Sequence, residues 1–109
     1  MLDKNRNLRY EKQAEIAKAV AHPVRVAIID FLKDGEQCVC DIADRVGSER
    51  SNVSRHLSVM VRAGVLECRK EGLKVIYKLR TPCILDFFSC VTDVIRQQAK
   101  ESQRLLKSM

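Results

Sequence analysis

A change of hydrophobic period in mid-chain constrains the fold more than any other feature. From Ser51 to Arg62, Val53, Leu57, Met60 and Val61 fall at i, i+4, i+7 and i+8, the spacing of one apolar helix face. Gly64 closes that helix. The period then drops to two. Val65-Leu66-Glu67-Cys68-Arg69 reads as a short strand and Glu71-Gly72-Leu73-Lys74 as a hairpin turn. Val75, Tyr77 and Leu79 then alternate with Ile76, Lys78 and Arg80, as in a half-buried strand. Upstream, Asp41 to Val46 is a short helix with Ile42, Ala43 and Val46 inward, and Gly47-Ser48-Glu49 is a tight turn. A short helix, a glycine turn, an amphipathic helix and a hairpin spell a helix-turn-helix with a wing.

The flanks complete the architecture. Residues 1–8 read as a loose arm. Tyr10 to Ala21 reads as a helix with Ile16, Ala17, Val20 and Ala21 on one face. Pro23 suits the first turn of a second helix, because its missing N–H costs nothing there. That helix carries Val24, Ala27, Ile28, Phe31 and Leu32 inward and ends at Asp34-Gly35. Thr81-Pro82 reads as an N-cap and first helical position for a last helix running toward residue 105. Its stripe is broad: Ile84, Phe87, Phe88, Val91, Val94 and Ile95. The fold class is therefore mainly α, a winged helix-turn-helix of four helices, a β-hairpin wing and a long C-terminal helix. At 109 residues it is a single domain, 1–109, without repeat or linker. A helical chain this small gains burial by pairing, which points to a homodimer.

Charge narrows the partners. Twenty Lys and Arg against 14 Asp and Glu leave a net +6, which favours a polyanion. No segment approaches the ~18 apolar residues of a membrane span. The polar opening MLDKNRNLRYEKQ lacks a signal-peptide core. A cytoplasmic protein without a membrane partner is expected, with its five cysteines kept reduced. No histidine stands by a candidate nucleophile in a recognisable motif, and there is neither a phosphate-binding glycine loop nor a carboxylate pair, so an enzyme is not expected.

The amphipathic helix supplies the chemistry for double-stranded DNA. Val53 and Leu57 face the core, leaving Ser51, Asn52, Ser54, Arg55 and His56 outside. Arg pairs with guanine, Asn with adenine, and Ser with base edges or phosphate. Arg69, Lys70, Lys74, Lys78 and Arg80 flank the hairpin glycine, as in a wing lying along phosphates. His22 is expected to cap or pack, and His56 to face DNA or the core.

Three stretches resemble the ArsR/SmtB family of metal-responsive repressors. Ser48-Glu49-Arg50-Ser51-Asn52-Val53-Ser54-Arg55-His56-Leu57 is similar to its recognition region, which adds Arg50 to the DNA-facing set. Ala21-His22-Pro23-Val24-Arg25 resembles the opening of its second helix, and Arg69-Lys70-Glu71-Gly72 its wing. The resemblance covers residues 10 to 97. It implies a homodimer packed through the first and last helices, repression at a palindromic operator, and release of DNA on ligand binding.

Glu36-Gln37-Cys38-Val39-Cys40-Asp41 also resembles the family, whose arsenite, antimonite, cadmium and lead sensors carry Cys-x-Cys at the entrance to the helix-turn-helix. On extended backbone, thiolates two residues apart point the same way, and soft ligands select thiophilic ions. The expected effector is As(III) or Sb(III), with Cd(II) or Pb(II) next, and no permanent cofactor. Two family patterns are missing. Ala43 stands where arsenite sensors of the best-known type have a third cysteine, and residues 1–37 contain no cysteine. A third ligand must then be Cys68, Cys83 or Cys90, from the same or the other subunit. Cys83, in the first turn of the last helix, is preferred, with Cys90 the alternative. Cys90 divides between ligand and buried dimer interface, and Cys68 reads as core. The family's zinc site on the last helix is not matched by Thr81, Cys83, Val94 and Gln97. Two further readings stand: a repressor responding to thiol oxidation or reactive sulfur, and a DNA binder with inert cysteines.

Overall fold

The computed structural model describes residues 4–109. Five helices, α1 (Lys4–Val20), α2 (Pro23–Leu32), α3 (Val39–Val46), α4 (Arg50–Arg62) and α5 (Ile84–Ser108), accompany three strands, β1 (Gln37–Cys38), β2 (Leu66–Glu71) and β3 (Lys74–Leu79). The sheet is antiparallel in the order β1-β3-β2. The core is the junction of α2, α3, α4 and the base of the hairpin. Ile28, Ile29, Leu32, Ile42, Val53, Leu57, Met60, Val65 and Leu66 are all buried there. Each such side chain contributes roughly 1.5–3 kcal/mol on burial, so α4 is held by the same cluster that stabilises the domain.

Local chemistry sets the element ends. His22 caps α2: its Nδ1 accepts from the Val24 N–H at 3.1 Å, and Pro23 takes the first helical position. Gly47, at φ 67°, closes α3, and the N–H groups of Gly47 and Ser48 both satisfy the Ala43 carbonyl. Gly72, at φ 64°, makes the two-residue turn between the paired Glu71 and Lys74.

Several expectations are corrected. The first helix begins at Lys4, so residues 4–8 belong to it and are not a loose arm; residues 1–3 lie outside the described residues. Of its expected apolar face only Val20 is buried, joined by Ala19, while Ile16, Ala17 and Ala21 are exposed. The cause is that α1 meets the rest of the protomer chiefly at its C-terminal end. Ala27 is likewise exposed on α2. Thr81 does not cap α5. Its hydroxyl donates to the Gly64 carbonyl at 2.9 Å, and Cys83 holds the capping position, without a side-chain bond. Cys68 is exposed rather than core, because β2 runs beyond the buried base of the hairpin. β1 was not anticipated.

Candidate nucleic-acid interface

The α3–turn–α4 unit presents the N-terminal half of α4 to solvent. Arg50, Ser51, Ser54 and Arg55 are exposed, while Asn52 and His56 are half-buried. Asn52 is the organiser. Its Nδ2 donates to Ser48 Oγ at 2.8 Å, locking the turn, and its Oδ1 accepts from Arg55 Nη2 at 3.3 Å, steering that guanidinium. Both ends of the amide are engaged, which leaves one N–H and one lone pair for a base. Neither Arg50 nor Arg55 has an ion-pair partner among the described residues.

His56 departs furthest from its assigned DNA contact. Its Nδ1 accepts from Arg25 Nε at 3.0 Å, and its ring lies 4.5 Å from that of His22. Arg25 also donates to the Ala19 carbonyl at 3.3 Å. His56 thus joins α4 to α2 and the end of α1, and its Nδ1 is closed to a base. Burial pushes its pKa below the ordinary 6.5, and the nearby His22, Arg25 and Arg55 push the same way.

In the wing, Lys70 and Lys74 are exposed and unpaired among the described residues. Arg69 differs. It shares a row with Ile76 and Cys38, and its guanidinium reaches across β3 to both carboxylate oxygens of Glu36, with a further bond to Glu71 at 3.0 Å. The pair with Arg69 holds the Glu36 carboxyl below its ordinary range. Arg69 is therefore a strap across the sheet, already neutralised by carboxylates, rather than a free phosphate contact. Lys78 is similarly paired with Glu67 at 2.9 Å.

The thiols are not arranged as extended backbone would place them. Cys38 is the last residue of β1 and the N-cap of α3, with extended φ and ψ, and is buried. Cys40 lies in the first turn of α3 and is exposed. The helix starts at Val39, one residue too early for two parallel thiols. Cys83 and Cys90 are also exposed in the protomer. Among the described residues no three His, Cys, Asp or Glu side chains gather as a metal would need. Cys38 and Cys40 have the soft chemistry such an ion requires.

A recognition helix with a free polar N-terminal half, backed by a basic hairpin, defines a winged helix-turn-helix DNA-binding protein. The comparisons agree. The family described as bacterial regulatory protein, arsR family, matches residues 22–67. The HTH-type transcriptional regulator Rv0081 of Mycobacterium tuberculosis (strain H37Rv) is 31% identical over 101 residues, which cover 92% of this chain and 89% of Rv0081. The arsenical resistance operon repressor of Staphylococcus xylosus is 30% identical over 88 residues, covering 81% and 84% of the two chains. The solution structure of the homodimeric winged helix-turn-helix domain of Mb0332 from Mycobacterium bovis, a possible ArsR-family regulator, superposes with a TM-score of 0.79 at 25% identity. That match covers 92% of this chain and 93% of the other. The chain belongs to the arsR family of bacterial regulatory proteins and is a DNA-binding transcriptional repressor. No helix among the described residues is long and apolar enough to cross a membrane.

Proposed function

We propose that the protein binds a two-fold operator as a homodimer and is released from it by a thiophilic effector acting at Cys38 and Cys40. The observation that carries this reading is the position of the two thiols. They flank the start of α3, so anything joining them must act on the helix that supports α4.

Two quantities support the dimer. The protomer exposes 8268 Å², whereas a compact chain of 12.4 kDa would expose about 6,100 Å². Its Cα radius of gyration is 17.5 Å, against about 13 Å for a compact domain of this length. The excess lies on α1 and α5, where Leu8, Ile16, Phe87, Val94, Ile95, Leu105 and Leu106 are exposed. In the dimer, Ser51, Ser54 and Arg55 face the major groove, Arg50 the flanking backbone, and Lys70 and Lys74 the adjacent phosphates.

As(III) or Sb(III) is the first effector proposed, followed by Cd(II) or Pb(II). The soft donor pair favours such ions, and the Staphylococcus xylosus relative is an arsenical resistance operon repressor. The third thiolate is assigned to Cys83, with Cys90 as the alternative, from either subunit. One observation favours a second reading. Four of the five thiols are exposed, which suits a sensor of oxidants or reactive sulfur. A gel-shift titration of reduced Cys38→Ser and Cys40→Ser with arsenite separates the two. Each variant should bind DNA like the unmodified protein yet resist release. Normal release by both variants would refute the entrance site.

A further inference from the structure

Beside α4 is an open cavity of about 380 Å³ that shares Arg55 with the base-reading face and takes no residue from the wing. It is lined by His22, Arg25, Asn52, Arg55, His56 and Val59. Its polar lining consists of donors. Both imidazoles accept at Nδ1, His22 from the Val24 N–H and His56 from Arg25 Nε. In the neutral ring the proton is then on Nε2, so each histidine has only an N–H left to offer. A guanidinium carries five N–H groups, and Arg25 commits two of its nitrogens, to His56 and Ala19. The one acceptor in the set, Asn52 Oδ1, is taken by Arg55. No acidic residue lines the cavity. Two permanent cations and two ring donors thus face a space that holds no carboxylate and a single side-chain acceptor, already engaged by Arg55. Such a cavity is complementary to an acceptor-rich anion.

We propose that this cavity seats one backbone phosphate of each DNA half-site, bound by Arg25 and the Nε2–H of His22, while Arg55, at its mouth, reaches past it to the bases. The seat rests on the DNA-binding reading above and deepens it. It brings α2 into the interface and fixes the angle at which α4 enters the groove, because Arg25 ties the seat to α4 through His56. Lys70 and Lys74 of the wing provide a second backbone anchor, so the two anchors together set the register of Ser51 and Ser54 on the bases. Two-fold symmetry places the two seats on equivalent phosphates.

The test uses the full-length reduced protein and a duplex selected from a random pool by binding to it. In that duplex each phosphate is replaced in turn by an uncharged methylphosphonate. Two variants are compared with the unmodified protein: His22→Ser, which keeps a capping hydroxyl for α2 while removing the ring, and Arg25→Lys, which keeps the charge and loses the fork. Thermal melts confirm that both fold. In the unmodified protein one symmetry-related pair of phosphates should cost about tenfold in affinity when neutralised. In His22→Ser and Arg25→Lys the same pair should cost distinctly less, while other positions keep their effect. Unchanged sensitivity of both variants at every position would overturn the seat and leave the DNA reading intact. Failure of the unmodified protein to select any duplex would overturn both.

Discussion

Truncating Phe87 tests the assembly most cleanly. Phe87 and Phe88 make an edge-to-face pair with ring centroids 5.3 Å apart, but their surroundings differ. Phe88 packs against the core of its own protomer, so its loss damages the fold itself. Phe87 remains 54% exposed and is available to a partner. Complete burial of such a side chain is worth roughly 1.5–3 kcal/mol. With about half still to be buried, Phe87→Ala removes about 0.8–1.6 kcal/mol per protomer. A two-fold interface counts it twice, about 1.6–3.2 kcal/mol, which weakens the dimer by about 15- to 200-fold. Sedimentation equilibrium of Phe87→Ala across a concentration series reads this directly, and helical content by circular dichroism should not change. An undiminished dimer would refute the assignment of this α5 face to the interface. So would a change in protomer fold as large as that caused by Phe88→Ala.

Further outcomes follow from the same contacts. Because His56 is held below 6.5, the unfolded chain takes up its proton first as pH falls. Thermal stability should decline as pH drops below about 6.5, and His56→Gln should decline less; equal declines in melting temperature would show that another group is responsible. Lys74→Ala should reduce the slope of log affinity against log salt by about 0.9, whereas Arg69→Ala, already neutralised by Glu36 and Glu71, should leave it nearly unchanged. Equal reductions would mean that the strap opens on DNA. Arg55→Ala should weaken selected DNA far more than random DNA, and equal losses in a competition assay would make Arg55 a phosphate contact.

Much of this fold was legible because it is periodic. The register of α4 from Val53 to Met60 is the register of its buried face, and Gly47, Gly64 and Gly72 adopt the positive φ angles their positions imply. The short strand β1 was not legible, since two residues carry no period and its existence depends on pairing with Tyr77 and Ile76. The Cys-x-Cys conformation was missed for a related reason: spacing alone does not say whether Val39 ends a strand or starts a helix. Exposure was also misjudged where a strand outruns its core, at Cys68. On α1 the apolar residues were legible as a stripe, but only the C-terminal end of the stripe, at Val20, is buried in the protomer. Of the interface, the solvent-facing set on α4 was readable from helical period. The capture of His56 by Arg25 and of Arg69 by Glu36 was not, because both bonds join residues more than 30 apart in sequence.

In the proposed function a thiophilic ion and DNA compete through the helix-turn-helix entrance. The most direct measurement is the affinity of the reduced, full-length protein for its selected duplex, by fluorescence anisotropy, with arsenite, cadmium, lead, zinc and peroxide added separately. Coupling of this kind amounts to about 1–3 kcal/mol, so arsenite should weaken binding by about 5- to 150-fold, with cadmium or lead next and zinc having little effect. Unchanged affinity with every ion, together with loss of binding on peroxide, would rule out ion-driven release and make the exposed thiols the sensor.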